Sequence, residues 1–311
     1  MAKGPVAFVL SGGGNRGALE VGALQALFEH GIKPDILVGT SAGAMNAAFI
    51  ATDPTLEGAY KLGELWKSIR REDVFPGNKF TMFWRLITGK DSLFPSDHLR
   101  RLVEKYIPPD KRRFGDLRVK LYITAANLNT ATLYLFGDDP EASLVDAVMA
   151  SAAQPITFPP VEYNGYQFVD GGVVANVPIE VAIEKGAKEI YAIDVSYGGQ
   201  VEQNIRGLVN IGRRCITIML YEHLLEDLED AAANPEITLH HIKITAFAGI
   251  DPQDFSRTAE MIAEGKRVTE EYLRSPVPGY RPEIRPEVVI PAPPGSRPWR
   301  RKKKLSKTGG D

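Results

Sequence analysis

The pentapeptide Gly39-Thr40-Ser41-Ala42-Gly43 has the spacing of a nucleophile on a sharp strand-to-helix turn. Glycines two residues to either side of Ser41 leave room for a strained backbone that pushes the hydroxyl outward. The start of the following helix favours the negative charge that develops when an oxygen attacks a carbonyl. Taken alone, the same run also fits a simple connection in which Ser41 caps the helix. Gly12-Gly13-Gly14-Asn15-Arg16-Gly17 satisfies G-x-G-x-x-G between an apolar run and a helical one, which permits a dinucleotide-binding turn. Such a site calls for an acid at the end of the second strand, about 20 residues on. Asp35 stands at the start of that strand instead, and Ser41 follows its end. The bare amides of Gly13 and Gly14 suit another task, binding the oxyanion formed when Ser41 attacks a carbonyl. Arg16 would hold an anionic group, brace the loop or form a surface ion pair. Asp170-Gly171-Gly172 puts a carboxylate at a strand end, as an ordinary turn or, beside a serine nucleophile, as a general base.

These three stretches must be brought together by a sheet. Val6–Leu10 is a continuous apolar run that reads as a buried strand, followed by a helix over Arg16–Glu29, a short strand at Ile36–Val38 and a helix over Ala42–Ala51. Strand and helix alternating in this way indicate a parallel sheet covered by helices. Leu56–Trp66 and Asp97–Ile107 read as helices, the second with Ser96 as its N-cap. Val119–Asn127 and Ala131–Phe136 read as a hairpin, Ser143–Ala153 as a helix, Tyr166–Val169 as a strand, Ile179–Lys185 as a helix and Ile190–Val195 as a strand. Helices over Ile205–Leu228 and Phe255–Leu273 flank a strand near Ile237–Ile244. The aromatic-rich stretch Phe80–Ile87 is either core or, with Phe158 and the apolar face of Ile205–Leu228, the lid or wall of an acyl-chain groove.

The ordered set of motifs resembles the patatin-like phospholipase family over about residues 5–200. The resemblance rests on the Gly12–Gly17 loop, the Gly39–Gly43 elbow and Asp170–Gly172 followed by Asn176-Val177-Pro178. The segment Ala150-Ser151-Ala152-Ala153-Gln154-Pro155 with Phe158-Pro159-Pro160 adds to it. It implies a three-layer α/β/α fold with a mostly parallel central sheet. It also implies metal-independent hydrolysis of lipid acyl esters by a Ser–Asp dyad, with no cofactor. Ser41 is then the nucleophile and Asp170 the base. Gly13 and Gly14 form the oxyanion hole within the loop Gly12, Asn15, Arg16 and Gly17, and Gly39 and Gly43 shape the elbow. Gln154 departs from the family, many of whose members carry an apolar residue there; the position bears on substrate choice.

A dyad makes a demand on Asp170, because an unperturbed aspartate has a pKa of about 3.9 against about 6.5 for histidine. Burial beside apolar neighbours such as Phe168 would raise its basicity. The alternative is a Ser41…Asp170…His triad using His223, His240 or His241. That order belongs to a fold with several strands before the nucleophile, and only two precede Ser41 here.

Composition narrows the field further. The 311 residues contain one cysteine, Cys215, which excludes a disulfide framework and a multi-Cys metal site, and no HExxH cluster, so a zinc hydrolase is not expected. Seven basic residues and one acid between Arg297 and Asp311 give that segment +6, so the preceding 296 residues carry −8 of the total of −2. A nucleic-acid binder should be basic on its folded body, so nucleic acid is not an expected partner. The expected partners are a lipid or acyl-ester substrate and, through Arg297–Lys307, an anionic membrane surface. No run is long enough to span a bilayer, and the apolar N-terminal run is too short for a signal peptide. The expected location is therefore cytoplasmic and peripheral to the membrane. The catalytic domain is expected over 1–275. A disordered Pro-rich and basic tail over 276–311 follows, with Glu287–Ile290 docked back on the domain. The function expected is a serine lipolytic hydrolase acting on phospholipids, lysophospholipids or simpler esters. An acyltransferase using the same acyl-enzyme, a non-enzymatic lipid-binding protein and a nucleotide binder are the alternatives.

Overall fold

Val6–Leu10 forms strand β1, and its residues are apolar without alternation because both of its faces are covered. Phe8 and Leu10 point into one hydrophobic layer, Ala7 and Val9 into the other. The computed structural model describes residues 4–196 and 204–280. After β1 come α1 (Gly17–Glu29), β2 (Ile36–Gly39), α2 (Ala42–Thr52), α3 (Leu56–Ser68), the single turn α4 (Arg71–Val74), α5 (Lys79–Ile87) and α6 (Asp97–Tyr106). Then follow β3 (Lys120–Asn127), β4 (Thr132–Phe136), α7 (Leu144–Ser151), β5 (Val161–Tyr163), β6 (Tyr166–Asp170), α8 (Ile179–Glu184) and β7 (Glu189–Asp194). The last are α9 (Leu208–Ala233), β8 (Thr238–Lys243) and α10 (Thr258–Arg274).

The strands form one sheet in the order β5-β6-β3-β2-β1-β7-β8, with β4 paired to β3 as well. Pairing is parallel from β3 through β8 and antiparallel where β3 meets β4 and β6 and where β6 meets β5. One face of the sheet packs on α1, α2, α3, α6, α7 and α10, the other on α8 and the C-terminal half of α9. This is the expected three-layer α/β/α arrangement.

Helix α1 is buried on nearly all sides, which accounts for its apolar composition all round. It meets α10 at backbone distance. A Cβ on Gly265 would lie 1.9 Å from the carbonyl oxygen of Leu19, and one on Gly22 would lie 1.9 Å from that of Ile262.

Several boundaries differ from the sequence reading. Ser96 precedes α6, but its side chain makes no capping bond; only its carbonyl accepts, from Arg100 N–H. Helix α9 starts at Leu208, after Gly207 at φ 87, and runs on to Ala233, where Asn234-Pro235 stops it. The helix expected from Phe255 begins at Thr258. Strand β5 was not anticipated; Asn164 and Gly165, both at positive φ, turn it into β6 as a tight hairpin. Past α10 the chain is described to Tyr280, with Gly279 N–H donating to the Leu239 carbonyl of β8 at 2.7 Å. Glu287–Ile290 and the basic segment Arg297–Lys307 lie outside the described residues. Among the described residues no helix is long and apolar enough to cross a membrane.

The α1–α10 contact tolerates no added carbon. Gly265→Val is expected to cost roughly 2–3 kcal/mol through overpacking against Leu19, lowering the thermal midpoint by about 5–10 °C in a circular dichroism melt. An unchanged midpoint would mean that the two helices do not meet there.

Candidate active site

Strand β3 brings the two reactive segments together. On one side β2 runs parallel to it and stops with Gly39 opposite Ile123; on the other β6 runs antiparallel and stops with Asp170 opposite Ala125. The two strands thus head toward each other and end within two residues along β3. Both exits meet at Thr124, which bonds one and is passed closely by the other. Its hydroxyl hydrogen bonds that of Thr40 at 2.7 Å, and Thr40 also donates to the Ala175 carbonyl at 3.0 Å. A Cβ on Gly171 would lie 2.3 Å from Thr124 Oγ1, so only glycine lets the chain after Asp170 pass this close.

Ser41 sits at φ 55, ψ −119, a conformation a non-glycine residue adopts only under constraint. Its N–H donates to Ser151 Oγ at 2.8 Å, and its carbonyl accepts from Met45 N–H at 3.2 Å, the first turn of α2. The flanking glycines answer to close packing. A Cβ on Gly43 would lie 2.4 Å from the Leu10 carbonyl oxygen, and one on Gly39 would lie 2.6 Å from that of Gly43. The hydroxyl does not cap α2. It donates to Asp170 Oδ2 at 2.6 Å.

Asp170 is buried and held at both oxygens, because Oδ1 accepts from Gly172 N–H at 2.8 Å while its own N–H donates to the Ala153 carbonyl at 3.0 Å. Loss of water around the carboxylate pushes its pKa up to about 6, against the opposing pull of the bonds from Ser41 and Gly172. Among the described residues the proton acceptor that touches Ser41 Oγ is thus a carboxylate with nearly the basicity of a free imidazole.

The glycine loop lies against the same spot, with a Cβ on Gly12 reaching to 3.3 Å from Ser41 Cβ. Asn176 clamps it: Gly12 N–H donates to the Asn176 carbonyl at 3.0 Å and Asn176 Nδ2 to the Gly12 carbonyl at 3.2 Å. Beyond the clamp, the amides of Gly13 and Gly14 enter no backbone or side-chain hydrogen bond among the described residues, and Gly14, at φ 58, faces open space. Asn15 and Arg16 anchor the loop. Asn15 Nδ2 donates to the carbonyls of Asp251 (2.8 Å) and Asp254 (2.7 Å). Arg16 is fully buried, with Nη1 donating to the Ser196 carbonyl at 3.0 Å and Nη2 to that of Ile244 at 2.8 Å. Of the three roles read for Arg16, bracing fits these contacts; the surface ion pair does not. Gly17 admits the Trp66 ring, 2.9 Å from where its Cβ would be. Beneath the loop Glu20 accepts from Ser11 Oγ (3.3 Å) and Asn46 Nδ2 (2.9 Å), and burial raises its pKa to about 8.

The other sequence alternatives fall elsewhere. Asp35 binds the start of β1, its carboxylate accepting from Val6 N–H at 2.8 Å, away from the glycine loop that follows β1's end. His240 and His241 lie on β8, one bonded to the Tyr272 hydroxyl at 2.9 Å, the other to Asp194 at 3.2 Å. Gln154 is exposed and accepts from the Thr157 hydroxyl within the turn to Phe158. Sequence reasoning missed Thr124 altogether and gave Ser151 no role. A buried polar residue in the otherwise apolar run of β3 was the available signal for Thr124; Ser151 carried none of its own. Helix α5 is not core: Phe80, Phe83, Trp84, Leu86 and Ile87 are exposed, and only Met82 packs against the core. Among the described residues no group of three or more His, Cys, Asp or Glu could hold a metal ion.

The model of the Patatin-like phospholipase family matches residues 8–183, more than half of the chain. Lysophospholipase NTE1 of Meyerozyma guilliermondii is 30% identical over 201 residues, 61% of this chain and 12% of its own length. That of Saccharomyces cerevisiae is 28% identical over 201 residues, 61% of this chain and 11% of its own. The chain therefore spans about an eighth of the length of these relatives. Among solved structures, VipD from Legionella pneumophila aligns over 87% of this chain and 67% of its own at 18% identity with a TM-score of 0.47. Human GIVD cytosolic phospholipase A2 aligns over 86% and 58% at 14% identity with a TM-score of 0.46. On the family match, the chain belongs to the patatin-like phospholipase family.

Proposed function

We propose that this protein hydrolyses fatty-acyl esters of phospholipids or lysophospholipids through an acyl-enzyme on Ser41, with Asp170 as its only proton acceptor. The observation that carries the reading is the 2.6 Å bond from the strained Ser41 hydroxyl to a buried carboxylate of raised pKa. Ser41 Oγ attacks the ester carbonyl carbon while its proton passes to Asp170 Oδ2. The negative charge arriving on the carbonyl oxygen is received by the Gly13 and Gly14 amides at the positive end of α2. The tetrahedral species collapses, breaking the carbon–oxygen bond to the alcohol, and Asp170 returns the proton to that leaving oxygen. Water then attacks the acyl-enzyme, giving its proton to Asp170, and the second collapse frees the fatty acid and restores the Ser41 hydroxyl. The names of the relatives, lysophospholipases, favour monoacyl phospholipids as the substrate class.

Ser41→Ala and Asp170→Asn each remove one half of this exchange. Both variants are expected to lose at least about 10³-fold in kcat on a p-nitrophenyl ester and on lysophosphatidylcholine, with unchanged circular dichroism. A fluorophosphonate should label wild type and not Ser41→Ala. Asp170→Asn turning over within tenfold of wild type would remove the carboxylate from the mechanism.

The pH dependence follows from the same group. Asp170 accepts a proton only when ionised, and its pKa in the free protein is about 6. Activity as kcat/KM should therefore be low in acid, rise through an inflection near pH 6 and level off above it. A profile still rising through pH 8, or falling there, would point to a different base.

A further inference from the structure

Helix α5 carries its apolar side chains on the wrong side for a soluble protein. Phe80, Phe83, Trp84 and Ile87 recur at i, i+3, i+4 and i+7, the spacing that normally marks a core-facing stripe. Here all four, with Leu86, are 56–70% exposed. Hydrogen bonds and one inward side chain hold the helix in this pose. Asn78 Oδ1 accepts from the N–H groups of Phe80 (3.0 Å) and Thr81 (3.1 Å), and Thr81 Oγ1 accepts from Asn78 N–H at 2.9 Å, a closed capping box. On the inner side Arg85 donates to the carbonyl and hydroxyl of Ser92 (2.9 and 3.0 Å), and Met82 is half-buried.

The segment it is pinned to leads to the reactive groups. Leu93 and Phe94 N–H donate to the carbonyls of Ile156 (2.8 Å) and Thr157 (3.0 Å), in the turn whose neighbour Ala153 accepts from Asp170 N–H. Ile156, at φ 72, is itself 47% exposed. The helix itself carries cations and no acid: Lys79 at its start, Lys90 just past its end and Arg85 on its inner side, with Glu72, Asp73 and Asp91 lying outside it.

We propose that α5 is an interfacial anchor, which lays Phe80, Phe83, Trp84 and Ile87 into the surface of an anionic phospholipid bilayer and so holds Ser41 at the lipid from which its substrate is drawn. A short helix with aromatic residues on one face and cations beside them is built for that boundary. A second copy of the chain is a poorer occupant. Nine residues make a rod of only about 14 Å by about 10 Å across, a footprint of roughly 140 Å² that falls far short of the roughly 800 Å² per partner of a stable protein interface, and the cations of two copies would face each other. The anchor's purpose rests on the lipolytic reading above, and the test separates the two.

The full chain with Ser41→Ala and Trp299→Phe is titrated with vesicles of phosphatidylcholine, with and without phosphatidylglycerol. Trp66 is buried, so a blue shift of emission on binding reports Trp84. That shift is expected, and Phe83→Ser with Trp84→Ser should weaken vesicle sedimentation by about tenfold or more. In the otherwise wild-type chain the same pair should leave soluble-ester turnover unchanged. Lys79→Glu with Lys90→Glu should reduce binding only to the phosphatidylglycerol vesicles. Undiminished vesicle binding by the serine pair, absence of the shift, or a wild-type dimer that the serine pair converts to monomers would overturn the anchor. Vesicle binding with the shift by a wild-type chain that cleaves no ester would sustain the anchor and defeat the lipolytic reading. Ester cleavage without vesicle binding would do the reverse.

Discussion

The site depends on the pairing of β3 with two strands that run in opposite senses. Because β2 is parallel to β3 and β6 antiparallel, their C-terminal ends converge, and the register fixes how closely: Gly39 faces Ile123, Asp170 faces Ala125. Backbone ladders hold registers firmly wherever both sheet faces are buried, since a slip of one residue would turn every core side chain outward. The distance between hydroxyl and carboxylate is therefore inherited from the core and does not rely on loops. Loops contribute the last few ångströms, and these are fastened at Thr124, Ser151 and Asn176, all on or beside regular elements.

Convergence of this kind has a cost, and its location is informative. Ser41 is held at a positive φ, Asp170 is deprived of water, and Arg16 and Glu20 are buried polar groups beside them. Each is compensated locally. Ser151 satisfies the Ser41 amide, Gly172 and Ser41 satisfy the two carboxylate oxygens, Arg16 donates to two carbonyls, and Glu20 sits among Ser11 and Asn46. The residual desolvation of Asp170 is what shifts its affinity for protons toward that of an imidazole, so the burial that destabilises the charged group is also what fits it to accept a proton near neutrality.

The strands and the two residues that meet at the candidate site were legible in the sequence because their signals are local. Unbroken apolar runs mark strands covered on both faces, and glycines two residues from a serine mark a turn that must pass a neighbouring strand at backbone distance, as Gly43 passes Leu10. Asn164-Gly165 is itself a hairpin signal, but the three-residue β5 before it is too short to show alternation. What could not be read depends on distant partners. Nothing near Thr124 or Ser151 in sequence says that two loops meet at one or that the other receives the Ser41 amide. Helix α5 was ambiguous for a related reason: spacing reveals that a stripe exists but not which way it faces, and only its surroundings decide between core and surface.

That last ambiguity bears on how the molecule divides its labour. Its large apolar residues are spent in two ways. In the sheet and in α1 they are buried and supply stability; in α5 and the first half of α9, where Leu208, Ile211, Ile218 and Met219 are exposed, much of their surface stays in water and supplies less to the isolated chain. Both helices reach the residues that follow the strand ends: α5 through Arg85–Ser92 and the bonds of Leu93 and Phe94 to Ile156 and Thr157, α9 through its packing on the turn after Asp170. An enzyme acting on a soluble ester gains nothing from apolar surface in that position and risks aggregation by displaying it. A substrate whose acyl chains lie in a lipid phase reverses the balance, because there the same surface is buried at the moment the substrate is reached.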